Sequence, residues 1–265
     1  MEYADYGRLL TVVAVLWGAV AGALVPRAAH RLSVPAGEPW RGTCPAGHPL
    51  DGWAGRPGRS AWVGRARCGE CAHGDRSAQA GRTASYGPGT GTVVTVTVLL
   101  CGVLAAATGP RPELAVWLPL TPVGVLLAAV DLRVRRLPDV LTLPFAGAAL
   151  ALLGVAALLP EHAGRWPAAL YGALALGAGH ALLLLLDPGG MGFGEVKLAL
   201  GAGAVLGWYG WPTVLLGSCA GFVCGALYAG VLAVAGRAGR EGALPFGPFL
   251  LAGAFLGVLA GAYSA

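Results

Sequence analysis

PAALYGALALGAGHALLLLLDPGGMGFGEVKLALG, residues 167–201, contains the feature that decides the fold. Its first twenty residues hold one group that can carry charge near neutral pH, His180, and at 1.5 Å per residue they make a helix of about 30 Å, the depth of a bilayer's hydrocarbon core. Asp187 and the Pro-Gly-Gly that follows end that run, and a second apolar run starts at an acid, Glu195, set among Gly192 and Gly194. A helix that crosses, a break, and an acid at the start of the next helix describe a chain folded through lipid.

The rest of the sequence has the same character. Hydrophobic residues make up 56%, charged residues 12%, and the mean hydropathy is +0.66, far from the balance of a water-soluble domain. Eight windows read as membrane spans: about 9–25, 92–108, 114–130, 141–159, 167–186, 196–210, 212–235 and 244–263. The sixth is short and Gly-rich. Glycine and alanine throughout these windows suit helices whose backbones approach closely in lipid. The first window follows two acids, Glu2 and Asp5, rather than a positive segment, and is followed by a basic, cysteine-bearing stretch, so it is expected to be a permanent span and not a cleaved signal. The expected fold is an all-α polytopic membrane protein with a loop lobe after the first helix, divided as 1–25 first helix, 26–91 cytoplasmic lobe and 92–265 helical core.

Lys and Arg near span ends are retained in the cytoplasm. With the N-terminus outside, the inside segments 26–91, 131–139, 187–197 and 236–242 carry 9, 3, 1 and 2 basic residues, against Arg8, Arg111 and Arg165 outside. This excess on one face accounts for the net charge of +5 and the pI near 9.1 without a nucleic-acid partner, and favours anionic lipid headgroups.

Of thirteen acids none falls in the middle of a span, yet Asp131, Asp187 and Glu195 all lie at the cytoplasmic edge. An ionisable group at a membrane boundary is a functional candidate, although a helix leaving lipid also explains one. Asp139, just after Pro138, has an ordinary explanation as a helix start signal. Asp131 has none, because an acid at a helix C-terminus opposes the macrodipole. At a helix start Glu195 suits the dipole, while its flanking glycines leave room for a second chain to approach.

These stretches resemble the motifs of one family. GMGFGEVKLALG (190–201) is similar to the GxGDxK motif of the type IV prepilin peptidases, polytopic aspartic proteases that remove leader peptides from pilins and pseudopilins. DLRVRRLPD (131–139) resembles that family's other aspartate motif, and LPFGPFLLAG (244–253) its C-terminal signature. The resemblance implies a catalytic pair at Asp131 and position 195. The chain departs from the pattern there, with glutamate for aspartate. Two close carboxyl groups serve this chemistry by sharing a proton, one activating water while the other polarises the scissile carbonyl. One extra methylene moves the acid's oxygens by about 1 Å, enough to cost on the order of 100-fold in rate unless the backbone accommodates it. Lys197 of the same motif is either a charge-balancing group or an interfacial anchor.

In the lobe, Cys68 and Cys71 have the spacing of half a zinc site, and Cys44 suits the other half in a compartment that keeps thiols reduced. The resemblance implies two CxxC pairs here, holding a metal and associated with methylation of the new N-terminus. Gly47 stands at the fourth cysteine position, so His48, or His73 as a substitute, would complete a Cys3His set. Methylation would need S-adenosylmethionine, and the glycines at 190, 192 and 194 miss the dinucleotide-binding spacing. Cys101, Cys219 and Cys224 are expected to be small packing residues and His180 a packing histidine. Residues 72–91, rich in Gly, Ser, Arg and Thr, are expected to be flexible.

The expected function is leader-peptide hydrolysis at the cytoplasmic membrane face. A second reading is a scaffold of pilus or secretion assembly that has lost turnover, suggested by the drift at 195 and 47. A broken-helix transporter finds no inverted repeat or mid-bilayer charge to support it.

Overall fold

The computed structural model describes residues 2–35, 37–50, 62–73, 85–189, 191–236 and 245–265, for residues 2–5 the backbone alone. Among these there are helices and two isolated β-bridges, Thr43 with Pro49 and Arg67 with Ser85. The helices are α1 (Glu2–Leu32), α2 (Gly69–His73), α3 (Thr90–Thr108), α4 (Leu114–Val134), α5 (Asp139–Ala156), α6 (Trp166–Leu186), α7 (Phe193–Trp208), α8 (Trp211–Val234) and α9 (Gly247–Ser264). Seven of them, all except α2 and α7, are long and apolar enough to cross a membrane. The protein is an all-helical, multi-pass membrane protein. Most of the expected 72–91 flexible stretch lies outside the described residues.

The sixth expected span is α7, and its short length has a structural reason. At sixteen residues it runs through the middle of the bundle, packed on α5, α6, α8 and α9, with Leu198, Ala199, Ala202, Ala204, Leu206 and Trp208 almost wholly buried. A helix surrounded by protein needs small residues more than lipid-facing ones. A Cβ on Gly172 of α6 would lie 2.5 Å from the Gly203 carbonyl oxygen, and one on Gly207 would lie 2.5 Å from that of Ala168. Here the glycines allow backbone-on-backbone packing.

Around α7 the bundle has two parts. Helices α1, α3 and α4 pack together, α5 to α9 form the larger group, and α4 and α9 join them. The first span runs longer than expected. Rather than stopping near Pro26, α1 continues to Leu32 and carries the lobe on its last turns: Arg27 N–H donates to the Gly64 carbonyl at 3.0 Å, and Gly64 N–H to that of Leu24 at 2.9 Å.

Two expectations about small residues divide. Cys101 is fully buried between α1 and α3, as expected. Cys219 is exposed and Cys224 half-buried, so neither is a core residue, because α8 turns Gly217, Gly221 and Gly225 toward its neighbours. His180 packs: its Nδ1 lies 2.9 Å from the Leu176 carbonyl, and its ring lies 5.9 Å from both Phe222 and Phe246.

Candidate active site

Asp131 sits one turn before the end of α4, which stops at Arg135 in a left-handed conformation, φ 51°, with Arg135 N–H donating to the Asp131 carbonyl at 2.7 Å. Glu195 is the third residue of α7. Separated by 64 positions in sequence, both side chains are buried, 2% and 6% exposed, and both end at the start of α9. Gly247 N–H donates to Asp131 Oδ2 at 3.1 Å, and Phe246 N–H donates to Glu195 Oε1 at 3.1 Å. Consecutive Cα atoms are about 3.8 Å apart, so two neighbouring amides hold the two carboxyl groups side by side.

The first amides of a helix have no partner within it and carry the positive end of its dipole. The start of α9 therefore offers two buried acids what a cation would otherwise supply. Pro248 follows without an N–H, so the exposed donors belong to residues 246 and 247. A side chain at Gly247 would put its Cβ 2.6 Å from Asp131 Oδ2, so glycine is required for the amide to reach the acid. Glu195 also receives Gly192 N–H on Oε2 at 3.3 Å, closing the first turn of α7.

The other motif residues separate by role. A Cβ on Gly194 would lie 2.8 Å from the Leu137 side chain, so this glycine admits the α4–α5 connection beside Glu195, whereas a Cβ on Gly192 would meet nothing within 4 Å among the described residues. Lys197 Nζ lies 2.6 Å from Asp139 and 4.6 Å from the Phe193 ring centroid. That ion pair clamps the start of α5 to the first turn of α7 and favours the charge-balancing reading over a lone interfacial anchor.

On the same end of the bundle, Cys44, His48, Cys68 and Cys71 converge, their ligand atoms all within 4.8 Å of one another. His48 Nδ1 lies 3.6, 3.6 and 3.2 Å from the sulfurs of Cys44, Cys68 and Cys71, and Cys44 and Cys71 are 3.9 Å apart. A tetrahedral ion with Zn–S of about 2.3 Å and Zn–N of about 2.0 Å would separate its ligands by about 3.5–3.8 Å, so the set fits a closed Cys3His site. Of the two expected histidines, His48 joins the cluster, while the side chain of His73 lies outside what the structure describes. The turn that brings it back places Gly47 at φ +86°, a conformation that disfavours the cysteine of a second CxxC pair. Burial pushes the Cys44 thiol up, but hydrogen bonds from the Ala46 and His48 backbone and from the Cys68 and His48 side chains outweigh it and bring it down to about 7. Burial, Cys68 and Cys44 push Cys71 up to about 12. Glu70, between the cysteines of the CxxC pair, lies 3.5 Å from His48 Nε2 and can orient the imidazole from behind.

A model of the type IV leader peptidase family matches residues 119–230, which include Asp131, Asp139, Glu195 and Lys197. A prepilin leader peptidase/N-methyltransferase of Burkholderia pseudomallei (strain 1026b) is 34% identical over 241 residues, 85% of this chain and 67% of that protein. The chain belongs to the type IV leader peptidase family. A protein of the same description from Aeromonas hydrophila is 33% identical over 233 residues, covering 83% of this chain and 72% of that one. Leader peptidase HopD of Salmonella typhimurium (strain LT2) is 34% identical over 140 residues, half of this chain and 84% of that protein. No solved structure matches.

For a leader peptidase the groups that sequence reading missed are Phe246 and Gly247, which act through backbone amides, and Glu70. The amides left one trace, the Phe-Gly-Pro within 244–253, where glycine ahead of a helix-starting proline leaves an unobstructed N–H. Glu70 was visible as an acid inside a CxxC pair.

Proposed function

We propose that this chain is a membrane-embedded aspartic endopeptidase that removes the leader from prepilin-like or pseudopilin substrates, with Asp131 and Glu195 as the catalytic pair. One observation carries this reading: the carboxyl groups of both residues are held by neighbouring amides at the start of α9. One carboxylate accepts a proton from water as the other, protonated, donates to the scissile carbonyl, and the two then exchange roles. The α9 amides stabilise the negative charge left on the pair as protons move.

Glutamate at 195 supports turnover rather than a retired site. Its longer side chain reaches Phe246 N–H at hydrogen-bond distance while still receiving Gly192 N–H, so the extra methylene is accommodated. The scaffold reading has no geometric feature in its favour.

We place the protein in the cytoplasmic membrane, N-terminus outside, with the pair at the inner face, on the distribution of Lys and Arg. We retain the three-part division into a first membrane span (1–25), a lobe (26–91) and a peptidase core (92–265), with α1 running on to Leu32 as the lobe's support and α3 starting at Thr90. Cys44, His48, Cys68 and Cys71 would hold zinc, which supplies folding free energy to a lobe with little core of its own. S-adenosylmethionine enters only if the chain also methylates the new N-terminus, which leader removal does not require.

The test is incubation of the purified protein in detergent with a prepilin, followed by mass analysis of the product. Leader-shortened product with the wild type and none with Asp131→Ala is expected. Cleavage that survives Asp131→Ala ends the assignment.

A further inference from the structure

A cavity of about 440 Å³ opens on the side of the bundle between α3, α4 and α9. Its walls are almost entirely apolar: Val96 and Leu100 on α3, Leu251 and Phe255 on α9, with Val96 and with Leu256 of α9 exposed at its margins. Along α4 it extends from Trp117 to Ala128, about 17 Å of helix.

Its lower end approaches Asp131 from two sides. Ala128 is one turn above Asp131 on the same face of α4, and Pro248 adjoins Gly247, whose amide holds that acid. A peptide whose scissile bond reaches the pair thus has a continuous apolar path beside it, rising into the membrane. The floor on α4 is Thr121, Gly124 and Ala128, small residues at helical spacing that permit close approach of another helix backbone.

We propose that this groove seats an apolar helical segment of the substrate, contiguous with the bond presented to Asp131 and Glu195, so that recognition depends on a membrane-spanning flank as well as on the leader. The assignment rests on the peptidase reading above. Gly124 and Ala128 are then specificity-determining positions. A Cβ on Gly124 would lie 3.7 Å from Leu251, an ordinary contact, so a larger side chain there grows into the groove rather than into the core.

The experiment has two arms. In the first, Gly124→Leu is compared with wild type on a prepilin that retains its apolar segment, with Leu215→Trp on the exposed face of α8 as control. Expected is a rise in KM of about tenfold with kcat within threefold for Gly124→Leu, and no change for the control. In the second arm, a photo-crosslinking residue replaces Leu100 in an Asp131→Asn background and the same prepilin is added. A covalent adduct mapping to its apolar segment is expected. An unchanged KM, a fall in kcat with KM unchanged, or adducts to lipid alone overturn the groove assignment. If wild type cleaves nothing, the peptidase reading fails, while the crosslink still decides occupancy of the groove.

Discussion

Buried carboxylates occur at both ends of the bundle, and they are held differently. At the lobe end Asp131 and Glu195 share two consecutive amides of one helix start. At the far end Glu113, fully buried before α4, accepts from Ala163 N–H and from the Trp208 indole at 3.1 Å, two donors on separate segments. The far-end acid stands alone and ties three segments together. The lobe-end acids are brought together against their own repulsion, with an open groove beside them. Burial of an acid therefore does not by itself mark a catalytic candidate in this protein; the pairing of two acids is what sets the proposed site apart.

The sharpest break between the ends comes from removing one proton-transfer group while keeping its shape. Asp131→Asn is expected to lower cleavage on the order of 1,000-fold, with thermal stability in detergent close to wild type. Measured by initial rates on a purified prepilin, a loss under tenfold would make the lobe-end pair as structural as Glu113.

Glu195→Asp asks whether the pair is tuned to the residue it contains. The shorter side chain draws its oxygens back by about 1 Å from Phe246 N–H, and a rate loss of about 10- to 100-fold is expected. A gain of that size would mean that the glutamate is the weaker acid for this fold.

How much of this was legible beforehand differs between the same two ends. Apolar windows of membrane length marked the long helices, and α7 was the weakest because a helix wrapped in protein trades apolar length for Gly203 and Gly207. Asp131 and Glu195 could be named from sequence because side-chain chemistry leaves residue signatures. Their partners could not, since any non-proline residue supplies a backbone amide. Glu113 went unnoticed because an acid ahead of a helix reads as an ordinary start signal, and its partners, Ala163 and Trp208, follow 50 and 95 residues later. In the lobe the three cysteines were visible, whereas the return of His48 to them depended on the Gly47 turn.

The lobe tests whether the lobe-end pair is self-contained. Cys68→Ser removes one ligand of the Cys3His set, and metal analysis of the purified variant is expected to show zinc lost while cleavage stays within about fivefold of wild type. The lobe touches the α4–α5 connection through Arg136, which donates to the Pro35 carbonyl at 3.0 Å, a hydrogen bond in which neither carboxyl group takes part. Loss of cleavage as deep as that of Asp131→Asn would instead make the metal lobe part of the catalytic unit.

The smallest expected effect on cleavage belongs to the far end, where stability is the quantity at stake. Glu113→Ala leaves the Trp208 indole N–H buried without its acceptor, which costs on the order of 1–3 kcal/mol. Trp208 is 1% exposed and lies at the end of α7, whose other end carries Glu195. A lower unfolding temperature in detergent is expected, with kcat on prepilin within about twofold below the transition, and Glu113→Gln should recover much of the loss because its carbonyl oxygen still accepts from the indole. A fall in kcat at temperatures where the variant is fully folded would show that displacement at Trp208 travels along the rigid α7 to Glu195, joining through one helix the two ends that their hydrogen bonds keep apart.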